Sequence, residues 1–188
     1  MLKMTKVAVL VGSLRKESYS RKVAKNVMDL FPDGFETEII PIGDLPLYNQ
    51  DFDDEGNPPQ LWTTFRKKIK QFDAVLFVTP EYNRSVPGVL KNAIDIGSRP
   101  KEDSVWNNKP AAIISNFPGH LSGFGANHHL RQSLVFFNMQ VVQQPEAYLA
   151  NVATLLGEDG KINNEGTIQF LQTFVDTFVD LMTTFKGN

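Results

Sequence analysis

The chain has no cysteine among its 188 residues. That excludes disulfides, thiolate metal sites and cysteine nucleophiles together, and it suits a reducing compartment. No apolar run is long enough to span a membrane. Met1–Lys6 leads directly into an apolar segment, with no room for a signal peptide, so a soluble cytoplasmic protein is expected. The formal net charge is only −2, which gives no basic surface for a nucleic-acid partner. Repeats and low-complexity tracts are also missing. Histidine is scarce, at three residues. His128 and His129 are neighbours on a predicted helix and point about 100° apart, His120 lies on the preceding loop, and no metal site is expected. Asp51, Asp53, Asp54 and Glu55 begin like a calcium loop. The twelfth position counted from Asp51 is Trp62 rather than glutamate, however, and Pro58 and Pro59 interrupt the run. A solvated acidic loop is the expectation there.

What is present is core. Apolar residues make up 41% of the chain, and phenylalanine alone occurs 14 times. That is ample for one domain spanning residues 1–188. The organising stretch is Val7–Ser20, VAVLVGSLRKESYS. A run apolar on both faces, Val7–Val11, suits a central parallel strand. It stops at Gly12, and a short polar loop leads into a helical pattern carried by Val23, Ala24, Val27 and Met28. Strand, tight turn and helix in that order put a helix N-terminus just past the strand's end, where free N–H groups and the helix dipole favour an anion. Ser13, Ser18 and Ser20 offer hydroxyls there, and Arg15 offers a planar charged fork. The loop is neither a Walker loop nor G-x-G-x-x-G, and its serines would also serve as plain helix caps.

The rest of the chain alternates strand and helix. Helices are predicted near 19–30, 59–71, from Pro87 onward, 126–137 and 165–185. Strands are predicted near 35–40, 74–78, 111–115 and 139–142, with a long proline-rich, acidic loop over 41–59. Five strand–helix repeats imply an α/β fold, a parallel sheet with helices on both faces. In such folds the ligand lies outside the carboxyl ends of the strands. The loops Gly12–Ser20, Thr79–Pro87 and Ser115–Gly125 should therefore share one site. The second is stiffened by two prolines with Tyr82 and Asn83 between them, a shape suited to a flat heteroaromatic ring or, more plainly, to a stiff connection.

Three motifs make the pattern specific: GSLR-x-x-S-x-S after the first strand, PEYN-x-S-x-PGVLKNAID after the third, and an S-x-x-x-G loop followed by HLRQ. Together they resemble the NADPH-dependent FMN reductase family, which includes quinone, chromate and azo-dye reductases. The resemblance covers nearly the whole chain. It implies a flavodoxin-like three-layer sandwich with a five-stranded parallel sheet, bound FMN, NADPH or NADH as co-substrate, and a homodimer or homotetramer. By the same resemblance Ser13, Arg15, Ser18, Tyr19 and Ser20 hold the FMN phosphate. Pro80, Glu81, Tyr82 and Asn83 run along the ring, and Ser115 and Gly119 lie near the ring and ribityl chain. Arg84 stands where many relatives carry an aromatic residue.

The expected activity is hydride transfer from NAD(P)H through bound FMN to small-molecule acceptors in ping-pong fashion: quinones, azo dyes, flavins or metal oxyanions such as chromate. No side chain is then needed as nucleophile or obligatory acid. One rival is a flavodoxin-type carrier with no enzymatic activity. Another, a phosphatase or receiver-type domain, lacks its nucleophile and acidic cluster. The predicted helix at 126–137 carries Leu130, Leu134, Val135, Phe136 and Phe137 on more than one face. One sheet covers only one face, so a partner subunit is expected on the other. Arg84 and Arg131 would then meet a partner's carboxylate, Glu146 being the candidate.

Overall fold

The computed structural model describes residues 4–185. Six strands form one sheet. They are β1 (Thr5–Val11), β2 (Phe35–Ile39), β3 (Ala74–Pro80), β4 (Pro110–Asn116), β5 (Gln140–Val141) and β6 (Ala147–Leu149). All pairs are parallel, in the order β2-β1-β3-β4-β5, with β6 also pairing with β4. The fifth position in the sheet is thus filled in two pieces. Residues 142–146, with a cis peptide bond before Pro145, separate them. The short apolar run 139–142 marks only the first piece; three residues at 147–149 are too few to announce a strand by pattern.

Alternation sorts the core. Ala8, Leu10, Val75, Phe77, Ala111 and Ile113 face one side of the sheet. There they pack on α3 (Gln60–Ile69), α4 (Gly88–Gly97) and α5 (Phe124–Val135) through Trp62, Phe65, Leu90, Ile94, Leu130 and Leu134. Val7, Val9, Val11, Leu76, Val78, Ala112 and Ile114 face the other side. They meet Val23 and Val27 of α1 (Tyr19–Met28), Val152 of the short α6 (Val152–Leu155), and Phe174, Val175 and Phe178 of α7 (Glu165–Phe185). A strand's side chains alternate between faces, so a strand buried on both sides must be apolar throughout. Each such Val, Leu or Phe stabilises the fold by about 1.5–3 kcal/mol relative to exposure. The broad apolar stripe of α7 is used up in this packing.

In the acidic stretch Asp51, Asp54 and Glu55 are exposed as expected, but one residue departs. The stretch contains a short helix, α2 (Gln50–Asp54), and Asp53 is not solvated. Both its carboxylate oxygens accept from Arg66 at 2.7 Å, and both side chains are nearly buried. The Arg66 Nε donates to the Ile96 carbonyl, and its guanidinium lies over the Trp62 ring. A bidentate, desolvated pair clamps the long loop to α3 and α4. Sequence distance hid the partner: Arg66 is 13 residues away.

Candidate functional site

The carboxyl ends of β1, β3 and β4 lie side by side, with Val11 opposite Val78, and Pro80 opposite Asn116. Gly12 is required at this point. A Cβ there would stand 2.6 Å from the Thr79 hydroxyl oxygen, so only glycine lets β1 turn away against β3.

The first loop then enters α1. Ser18 is its N-cap, in extended conformation, and its hydroxyl accepts the Arg21 N–H at 3.1 Å. The Tyr19 and Ser20 amides of the same turn have no intrahelical acceptor and are left for an anion. The Ser13 hydroxyl accepts the Arg15 N–H at 3.4 Å and so shapes the loop. The Arg15 side chain is exposed.

Asn116, the last residue of β4, ties the three strand ends together. Its amide and the Ser20 hydroxyl are in mutual hydrogen bonds of 3.0 and 3.1 Å, and Asn116 Nδ2 also donates to the Thr79 carbonyl at 3.3 Å. It is 1% exposed. In the sequence Asn116 reads as the first residue of a loop. The signal for its role was there, however, in a polar pair, Ser115-Asn116, directly after four apolar residues, Ala111–Ile114.

The second loop makes a tight turn. Tyr82 and Ser85 exchange both backbone bonds at 3.0 Å, around Asn83 and Arg84 at φ 50° and 66°. That is the geometry of a type I′ turn, which asparagine accepts and arginine resists. The Glu81 carboxylate accepts the Ala126 N–H of α5 at 3.1 Å and stands 3.8 Å from the Arg84 guanidinium.

A cleft of about 200 Å³ lies between these loops. Of the eleven residues expected at the site, seven line it: Ser13, Arg15, Tyr19, Ser20, Pro80, Glu81 and Tyr82. Asn116, Phe117 and Pro118 complete it; they lie in the third expected loop but are not among the eleven. Four expected residues lie off its walls. Ser18 caps the helix, and Asn83 forms the exposed turn. Ser115 is fully buried, donating to the Ser122 carbonyl and accepting from the Asn127 amide. The Gly119 carbonyl accepts the Asn151 N–H.

The cleft suits a long amphipathic anion. One end offers helix amides, hydroxyls and a guanidinium; the other offers two prolines, Tyr82 and Phe117. A phosphorylated heteroaromatic such as FMN has that polarity, and the donor set fits it.

Beyond the cleft, α5 carries a cluster of rings. Phe124 and His128 are 4.2 Å apart by centroids, and Tyr148 Oη lies 2.9 Å from His128 Nε2. Burial and the neighbouring Glu146 push the Tyr148 hydroxyl up to about 12. Arg131 and Glu146 also have partners within the chain. Arg131 bonds within its own chain, to the Asn127 side chain and the Val142 carbonyl, both at 2.9 Å. Glu146 faces His128 of the same chain at 3.8 Å. No group of three or more acidic or histidine side chains gathers as a metal site among the described residues. No helix among them is long and apolar enough to cross a membrane.

Comparison with known proteins agrees with this geometry. A sequence model of the NADPH-dependent FMN reductase family matches residues 5–154. A quinone reductase of Pseudomonas putida is 59% identical over 172 residues, 92% of this chain and 91% of that protein. FerB, a flavoenzyme NAD(P)H:(acceptor) oxidoreductase from Paracoccus denitrificans, superposes with a TM-score of 0.88 at 40% identity, covering 96% of this chain and 98% of that one. A flavodoxin from Pseudomonas aeruginosa shares the fold at a TM-score of 0.57 and 19% identity, over 93% and 99% of the two chains. The chain belongs to the NADPH-dependent FMN reductase family.

Proposed function

From that membership we propose that this single-domain chain binds FMN in the cleft and uses it as an NAD(P)H:quinone oxidoreductase. The observation that carries the reading is the α1 N-terminus, with two free amides and Arg15 opening onto a cleft whose far end is proline and aromatic. The eleven residues expected at the site divide by role. Ser13, Arg15, Tyr19 and Ser20 hold the phosphate, with Ser18 shaping the turn that presents them. Pro80, Glu81 and Tyr82, with Asn83 forming the turn, bound the ring. Ser115 and Gly119 support the third loop, and Asn116 fastens all three. FMN, when bound, supplies the hydride-accepting and hydride-donating centre. The chain's own part is to bind, orient and exclude water. No side chain in the cleft is required as a nucleophile.

The same cleft serves donor and acceptor in turn, so double-reciprocal plots should be parallel; intersecting lines would mean a separate acceptor site. The principal test is the flavin that co-purifies. An FMN absorbance spectrum, together with rapid NADPH oxidation on addition of a benzoquinone, supports the reading. Flavin reduced only through an added reductase would make the chain a flavodoxin-type carrier. Azo dyes, free flavins and chromate are tested as acceptors in the same assay. A cytoplasmic location belongs with the same reading, because a reduced nicotinamide is the donor and the chain has no cysteine.

An oligomer is also part of it. Val135 and Phe136, at the end of α5, are 72% and 71% exposed among the described residues. Burial against a second copy, in a homodimer or homotetramer, would remove that surface from water. Light scattering tests this: a mass near 21.1 kDa for active, FMN-loaded protein would rule it out.

A further inference from the structure

Glu81 stands in the wall of the cleft, yet its carboxylate is engaged on α5. The residue is 9% exposed, and its Oε2 accepts the Ala126 N–H at 3.1 Å. Ala126 lies in the first turn of α5, where backbone N–H groups lack intrahelical acceptors. The helix has no capping side chain of its own. Its N-cap is Gly123, at φ 77°, and a Cβ there would come 2.9 Å from the Ser115 Cβ, so no serine or aspartate can take that place. The donor is satisfied instead by a carboxylate 45 residues earlier in the chain, at the end of the helix where the dipole favours a negative charge. The approach is close: a Cβ on Gly125 would stand 2.7 Å from the Arg84 carbonyl oxygen and 3.0 Å from Glu81 Oε2.

We propose that Glu81 is a positioning residue, whose carboxylate bond to α5 sets the Pro80–Tyr82 wall of the cleft against the Asn116–Pro118 wall. This rests on the FMN reading of the cleft, and it deepens that reading by removing the Glu81 side chain from direct contact with the ligand. Two other ties join this side: Pro80 pairs with Asn116 where the strands end, and the Ser85 hydroxyl of the Tyr82–Ser85 turn lies 2.9 Å from His129 Nδ1, in the second turn of α5. Glu81 adds the tie to the first turn of α5, which begins six residues after Pro118. Asn116 holds the phosphate side of the same cleft, while Glu81 holds its ring side.

The test titrates FMN into apoprotein and follows flavin fluorescence, alongside amide hydrogen exchange of the same apoprotein. Glu81→Ala should weaken FMN binding about tenfold to a hundredfold, the range set by losing a hydrogen bond to a charged group. It should also shift the flavin absorbance band of the residual complex and remove the protection of the Ala126 amide, with β4 amides unchanged. Glu81→Gln keeps an acceptor oxygen without the charge and should recover most of this, to within about threefold of wild type. Gly125→Ala keeps the carboxylate but forces the helix off the turn. It should reproduce the Glu81→Ala defect, and it serves if Glu81→Ala does not fold. Wild-type FMN affinity and an unshifted band in Glu81→Ala, or in Gly125→Ala, would overturn the proposal, as would unchanged Ala126 protection. Wild-type apoprotein that takes up no FMN would overturn the functional reading instead, and exchange at Ala126 would still decide the contact.

Discussion

The two ends of the cleft are built on different principles. At the phosphate end the β1–α1 loop is held mainly by near neighbours: Ser13 to Arg15, Ser18 to Arg21, and the first turn of α1 itself. At the ring end the β3–α4 loop and α5 are held by residues distant in the chain, Glu81 to Ala126 and Ser85 to His129. Asn116 belongs to the second kind but reaches into the first, since its partner Ser20 is 96 residues away. A locally held anion site keeps its shape wherever the strand ends. A ring site assembled from distant pieces is only as good as the packing behind it.

That contrast can be broken by substitution. The largest effect is expected from Arg15→Ala. A charge-assisted contact to phosphate is worth about 1.5–3 kcal/mol, so FMN retention should fall about tenfold to a hundredfold while the melting temperature of the apoprotein stays put. Unchanged affinity by fluorescence titration would remove Arg15 from the site. Asn116→Ala comes next and should act on both ends. It leaves the Ser20 hydroxyl and the Thr79 carbonyl without their buried partner, which should destabilise the fold by about 1–3 kcal/mol in urea and weaken FMN as well. If stability falls and FMN affinity does not, the two ends are not joined through Asn116.

Ser18→Ala should be smaller and confined to one end. Loss of an N-cap costs about 1 kcal/mol, measured as a lower urea midpoint, with FMN weakened because the Tyr19 and Ser20 amides lose their fixed direction. Ala126 exchange, at the other end, should not change. Arg84→Gly is the smallest and has the opposite sign. It relieves a left-handed arginine worth about 1–2 kcal/mol, offset by about 0.5–1 kcal/mol of extra freedom in the unfolded chain, for a net gain of a few tenths to about 1 kcal/mol. A lower thermal midpoint would show that the Arg84–Glu81 contact outweighs the backbone strain.

The same division separates what could be read from the chain and what could not. The fold was legible because its signals are local and periodic. Val7–Val11, Ala74–Val78 and Ala111–Ile114 are apolar at every position, which only a strand buried on both faces tolerates. The stripe of α7 marked a helix near 165–185, and the structure describes one at Glu165–Phe185. Seven cleft residues lay in the two loops whose motifs punctuate those strands. Three kinds of feature were hidden. The acidic stretch looked solvated because Arg66, which buries Asp53, is on another helix. Ser115 looked like a ligand group because nothing in its neighbourhood shows that it faces the Asn127 amide and the Ser122 carbonyl. The last strand was half missed because β6 has three residues and owes its state to pairing with β4.

By itself, then, the sequence determined the alternating layers, the helix N-terminus after β1 and the loops that meet at one end of the sheet, since hydrophobic period and turn chemistry act over a few residues. Only the tertiary structure decided which polar side chains face the cleft and which are turned inward to brace it. Glu81, Asn116 and Ser115 are polar residues at the ends of apolar strands, alike in local pattern. Their roles separate only when a donor or acceptor from elsewhere in the chain arrives within about 3 Å, because a buried polar group must be satisfied by whatever the fold brings to it.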